Sequence, residues 1–159
     1  MLMSDKMKSL FMRQIAHELN NSVIYRKISN FLSVKGFSNL ASRFKKDSED
    51  KVDHSWWLQD FLEKLNIEID LIQFPLNVQT ITLTNFVELA LQREIETTKM
   101  INEMLGQSYE ESGIITDFLL STMLREQTEE IEKVNTLNDE IINIGGNVAL
   151  LQLFDKSLS

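Results

Sequence analysis

Residues 67–82 read IEIDLIQFPLNVQTIT, sixteen positions rich in β-branched side chains with the chain's only proline, Pro75, inside them. The stretch has no helical spacing, and Pro75 would break a helix there. On both sides, helical spacing resumes. Gly36 separates a segment of about 5–35 from one of about 37–66. A third segment spans about 83–109, Gly113 precedes a fourth over 114–144, and Gly145-Gly146 ends it before an amphipathic tail at 148–158. At 100° per residue, Phe11, Ile15, Tyr25 and Leu32 share one face of the first segment, and Leu40, Phe44, Leu58, Phe61 and Leu65 one face of the second. Leu83, Val87, Ala90, Ile101 and Leu105 do so in the third, and Leu119, Met123, Val134, Leu137 and Ile141 in the fourth. Helices of roughly 27–31 residues are about 40–45 Å long, which predicts an all-α four-helix bundle. The first and third joints are short and make antiparallel hairpins. The middle joint reaches about 50 Å when extended, the length of the bundle, so the second and third helices run parallel through one long crossover.

Composition agrees. The chain has 159 residues, one Pro, five Gly and no Cys, which fits one domain and argues against a turn-rich sandwich. Lacking cysteine, it has no disulfide framework, thiolate zinc site, iron–sulfur centre or cysteine nucleophile. A net charge of −8 repels phosphate backbones and anionic lipid, so neither nucleic acid nor membrane is an expected partner. No apolar run approaches the ~18 residues of a membrane span, and residues 1–8 lack a signal-peptide pattern, so a cytoplasmic location is expected.

Polar residues interrupt each apolar face. Glu18 is central in the first helix, Lys51 and His54 lie in the second with Asp47 just above, Glu94 in the third, and Gln127 with Glu130 in the fourth. From the hairpin ends these positions lie at one depth, about 21–27 Å in. The spacing repeats: Glu18 to Lys51 and Glu94 to Gln127 are both 33 residues, Glu18 to His54 and Glu94 to Glu130 both 36, an internal duplication offset by 76. Buried charges are expensive unless paired or metal-bound. Carboxylates with an imidazole suit a dinuclear site for Fe, Mn or Zn, with Tyr25 a nearby one-electron donor. A metal-free buried ion-pair network is the competing reading.

Glu18 and Tyr25, Asp50-Lys51-x-x-His54, Glu94, and Glu126-Gln127-x-x-Glu130 resemble the site motifs of the bacterial non-haem ferritins, and the tail 150–158 resembles that family's short fifth helix. The resemblance implies a hollow 24-subunit cage that oxidises ferrous iron and stores the ferric mineral, built from this chain alone or mixed with other ferritin subunits. By position it assigns Glu18 and His54 to a first iron, Glu94 with Gln127 and Glu130 to a second, and Asp50, Glu126 and Glu129 with Glu130 to a third. It casts Tyr25 as the catalytic tyrosine. Val52 stands where haem-binding relatives carry their methionine, so no haem is expected.

One position departs from the family pattern. Lys51 stands where the family has a bridging Glu, and an ammonium group cannot ligate a cation. Lys51 is expected to pair with Glu18 or Glu94 and impair fast ferroxidase chemistry. A catalytically inactive structural cage subunit and a DNA-protecting mini-ferritin are the alternative functions; a rubrerythrin-type enzyme would need a cysteine-rich iron domain. His17 points about 100° from Glu18 and is expected at the surface or between subunits. At most one of Trp56 and Trp57 belongs to the core, Asp53 is expected to be solvated, and the Met residues to fill the core. The tail either plugs a channel between subunits or folds over the end of its own bundle.

Overall fold

Ser4 starts the first helix by accepting a hydrogen bond from the Met7 amide at 3.1 Å, with Asp5 favouring the positive N-terminal end. The computed structural model describes residues 2–159, so Met1 of the N-terminal stretch lies outside it. Helix α1 spans Asp5–Val34, α2 Ser38–Lys64 and α3 Phe86–Ser108. Helix α4 starts as Gly113–Phe118, passes through a π-helical stretch at Leu119–Leu124 and continues as Arg125–Ile144; α5 is Val148–Ser157. Gly36 (φ +91°) and Gly145 (φ +63°) take the left-handed conformation that ends α1 and α4. Residues 67–82 form the long irregular crossover. Among the described residues there is no strand, and no helix is long and apolar enough to cross a membrane.

The fold is an all-α four-helix bundle with one long crossover and a short fifth helix. Helix α1 packs on α2 and α3, and α3 on α4. Two apolar clusters fill the interior. One is built around Tyr25, Ile28, Phe44, Phe86 and Leu137; the other around Phe11, Ile15, Leu58, Ile101 and Met123. Met3, Met7, Met12, Met100, Met104 and Met123 are buried, as expected of core filler. Trp56 is half exposed and Asp53 exposed, whereas Trp57 lies against His54 with ring centroids 4.7 Å apart.

The π stretch differs from the uninterrupted helix the periodicity predicts. Its wider turn keeps the buried Leu119, Met123 and Gln127 in line at steps of four residues, just before the polar part of α4. The tail rests on its own bundle: Leu151 joins the first cluster, and the buried Asp155 accepts from the Leu40 amide at 2.8 Å. That carboxylate supplies the cap α2 lacks, because Phe37 at its start has no side chain to give. Val148, Leu150 and Leu153 of the tail stay exposed.

Candidate metal centre

Between the two apolar clusters lies one polar layer. Helix α1 contributes Gln14, His17, Glu18 and Asn21, α2 Ser48, Lys51 and His54, α3 Glu94 and Thr97, and α4 Gln127 and Glu130, all buried. The charged groups spaced by 33 and 36 residues in sequence meet here.

Lys51 occupies the middle. Its Nζ is fully buried, 2.7 Å from Glu94 Oε1 and 3.6 Å from Glu130 Oε2. Of the two partners expected from sequence it takes Glu94, and Glu130 replaces Glu18 as the other. The contact is an ion pair rather than an aligned hydrogen bond, since the ammonium has no well-directed acceptor. It also lies 5.4 Å above the Tyr25 ring. Burial opposes its charge, but Glu94, Glu18 and Glu130 outweigh burial and hold it protonated above the ordinary lysine range.

Glu94 is fully engaged. The Tyr25 hydroxyl donates to Oε1 in a short hydrogen bond, and Gln127 Nε2 donates to Oε2 at 2.8 Å and to the backbone oxygen at 3.1 Å. Burial, then the Glu94 charge, raises the Tyr25 pKa well above the usual phenol value. Tyr25, Glu94 and Gln127 therefore satisfy one another, and Lys51 adds its charge without a directed hydrogen bond.

The other half is not satisfied. His54 stands between two carboxylates, Nδ1 3.5 Å from Glu18 Oε2 and Nε2 3.4 Å from Glu126 Oε1. Gln14 donates to Glu18 Oε1 at 3.1 Å, while Glu18 Oε2, Glu130 Oε1 and Gln14 Oε1 are buried without hydrogen-bond partners. One ligand atom each from His54, Glu126 and Glu130 lie within 4.8 Å of one another, the spacing a single cation needs. Burial opposes the Glu18 carboxylate, yet the close His54 ring and the Lys51 charge lower its pKa; the same close contact raises that of His54 against burial. Glu130 goes the other way: burial pushes it up to about 7, Glu94 and Asp47 adding to the effect and Lys51 opposing it. A cleft of about 10 Å³ lined by Arg43, Asp47 and Lys133 reaches Tyr25, Glu94 and Glu130, room for about one water.

Not every expected ligand joins the cluster. Asp50 is held by Lys46 at 3.0 Å, and Glu129 is exposed. His17 corrects the surface expectation. It is buried, with Nε2 2.7 Å from Thr97 Oγ1 and Nδ1 3.1 Å from Arg93 Nη2, because α1 packs on α3 as well as on α2. Burial lowers its pKa to about 4, Arg93 adding and Glu18 opposing. Sequence reasoning also passed over Gln14, one turn before Glu18 on the same face, which the i, i+4 spacing could have marked.

Comparison with known proteins sets this geometry in context. Residues 9–144 match the family described as Ferritin, ferritin-like domain. A bacterial non-heme ferritin of Bacteroides fragilis is 25% identical over 146 residues, covering 91% of each chain. A probable bacterial non-heme ferritin-like protein of Haemophilus influenzae is 24% identical over 159 residues, covering 99% of this chain and 96% of its own. Among solved structures, the open pore ferritin of the hyperthermophilic archaeon Archaeoglobus fulgidus superposes with a TM-score of 0.88 at 20% identity, covering 99% of this chain and 96% of that one. A humanized archaeal ferritin gives 0.89 at 21%, covering 99% and 97%. With the family match spanning all four bundle helices, this chain belongs to the ferritin-like domain family.

Proposed function

We propose that this chain is a cytoplasmic, non-haem iron-storage protein that assembles with itself, or with other ferritin subunits, into a hollow 24-subunit cage. Ferrous iron is its substrate and the ferric mineral its cargo. The relatives named as bacterial non-heme ferritins support the iron reading, and the cation-sized cluster of His54, Glu126 and Glu130 supports binding within the bundle.

One observation carries the finer reading: the Lys51 ammonium, fully buried, lies against Glu94 and Glu130. It fills the place of a second cation. A single ferrous ion is then taken by His54, Glu126 and Glu130, with Glu18 beside His54 as a further oxygen donor. Two ferrous ions side by side would supply both electrons for reduction of dioxygen to peroxide, whereas one supplies only one. Oxidation is therefore slow, and storage does not depend on a fast dinuclear step in this subunit. Tyr25 is tied to Glu94 through its hydroxyl while Lys51 holds the layer.

Anaerobic ferrous titration followed by stopped-flow oxidation tests this reading. The expected result is about one tight ferrous ion per chain and slow oxidation, with Lys51→Glu gaining both a second ion and rate. Two tight ions with rapid turnover in the unaltered protein would overturn the impairment. No binding at all would favour the structural cage subunit, a role that the same lysine would serve. Assembly is checked by size-exclusion chromatography with light scattering, where 24 chains of 18.5 kDa give about 440 kDa.

A further inference from the structure

A second feature of the bundle has no part in this chemistry. A cavity of about 580 Å³ opens between α1, α3 and the Phe74–Pro75 part of the crossover, within the size range of small-molecule sites. Arg13, Arg93 and Lys99 line it against only two carboxylates, Glu96 and Glu103, in a chain of net charge −8. Glu103 is consumed by its ion pair with Arg13.

Arg93 is the unusual member. It is half-buried at the cavity, and among the described residues no carboxylate lies within ion-pair distance of it. Both its side-chain hydrogen bonds go to neutral acceptors: Nε donates to Asn21 Oδ1 at 2.6 Å and Nη2 to His17 Nδ1 at 3.1 Å. The acceptor role of His17 follows from the network. Thr97 Oγ1 donates its one proton to the Arg93 backbone oxygen at 2.8 Å, so it must accept from His17 Nε2. His17 is then protonated at Nε2 and free to accept at Nδ1. Two edges of the guanidinium are thereby fixed, and Nη1 is left without a bond. Nearby, Arg13 Nε is a buried donor with no acceptor, and the exposed Lys99 has no ion-pair partner. A half-buried guanidinium fixed on two edges, with donors to spare, matches the oxygens of a tetrahedral anion.

We propose that this cavity binds a small oxyanion of the phosphate class, seated on the Arg93 guanidinium, with Lys99 supplying further positive charge. The neutral His17–Asn21–Thr97 network holds Arg93 in place and does not touch the anion.

The test is calorimetric titration of the iron-free, assembled protein with inorganic phosphate, against chloride at matched ionic strength. Saturable binding of about one phosphate per chain is expected, weakened about tenfold or more in Arg93→Gln and several-fold in Lys99→Gln. Lys99 is exposed, so its variant keeps the test valid if Arg93→Gln folds poorly; Lys64→Gln, at the end of α2 outside the cavity, should change nothing. Absence of saturable binding, or binding unaffected by both cavity variants, overturns the proposal. So does exclusion of phosphate by a second copy of the chain covering the cavity, which would show as an altered assembly state in Arg93→Gln.

Discussion

Replacing Lys51 by glutamate is the perturbation that separates the two halves of the polar layer. In the unaltered chain Nζ sits 2.7 Å from Glu94 and 3.6 Å from Glu130. At an effective dielectric of about 20 these separations correspond to attractions of roughly 6 and 5 kcal/mol, before the desolvation of all three groups is subtracted. Removing one partner from such a buried set costs about 3–5 kcal/mol, because the carboxylates left behind are uncompensated. A fourth carboxylate in place of the ammonium adds repulsion, which proton uptake limits. At about 2–4 °C per kcal/mol for a chain of this length, the cation-free variant should melt some 6–20 °C below the unaltered protein.

Divalent cation should reverse the order. A cation that binds only the folded state adds about 2.7 kcal/mol at a hundred times its Kd and about 4.1 at a thousand times. Lys51→Glu offers a bridging carboxylate and two places, so manganese(II), which takes oxygen ligands without oxidising readily, should raise its melting temperature by more than that of the unaltered protein. Lys51→Met separates charge from ligation. It should lose stability without cation but gain no second ion. Scanning calorimetry of the three proteins, with and without manganese, reads all of this. The reasoning is refuted if cation-free Lys51→Glu melts with the unaltered protein, or if manganese raises both equally.

Other perturbations test other parts of the layer and its frame. Tyr25→Phe removes the donor to Glu94 Oε1 and should cost about 1–3 kcal/mol, read as the urea midpoint of the cation-free protein. Asp155→Ala removes the cap on α2 and should cost about 1–2 kcal/mol, with faster hydrogen exchange at the Leu40 amide as its local signature. His17 has a folded pKa of about 4 against an ordinary value of 6.5, so the unfolded chain binds its proton first. Its contribution is fully present above pH 6.5 and is lost as pH falls towards 4, up to about 3 kcal/mol; His17→Gln should flatten that part of the urea-midpoint profile against pH.

Much of this arrangement is legible before folding. The apolar stripes, the lone proline in the crossover and the repeated spacing are local or periodic features, and they fix which helices pair and which polar residues share a level. What periodicity cannot supply is the number of neighbours a helix has. His17 lies about 100° from Glu18, which reads as outward if α1 has one partner and as buried once α3 closes on its flank. The Asp155 cap joins positions 115 residues apart, and its only local trace is the missing capping side chain at Phe37. The π stretch, LLSTML, contains neither Pro nor Gly, so nothing in it marks a departure from α-helical spacing.

The pairing within the layer was also beyond sequence, and it bears most on function. A common depth brings Lys51, Glu18, Glu94 and Glu130 together without saying which partner the ammonium takes. By taking Glu94 it closes a set in which Tyr25 and Gln127 fill the remaining valences. By leaving Glu18 it keeps a buried carboxylate oxygen whose one contact is the His54 ring at 3.5 Å, while Glu130 Oε1 and Gln14 Oε1 are buried without a hydrogen bond. Each such orphan costs about 1–3 kcal/mol, and apolar side chains of similar size would remove that cost in a bundle with no use for cations. A lysine that served only to neutralise the layer would leave no reason to keep the carboxylates of Glu18, Glu126 and Glu130 around one imidazole. That imbalance between the two halves is why the proposed reading assigns this subunit one cation rather than two or none.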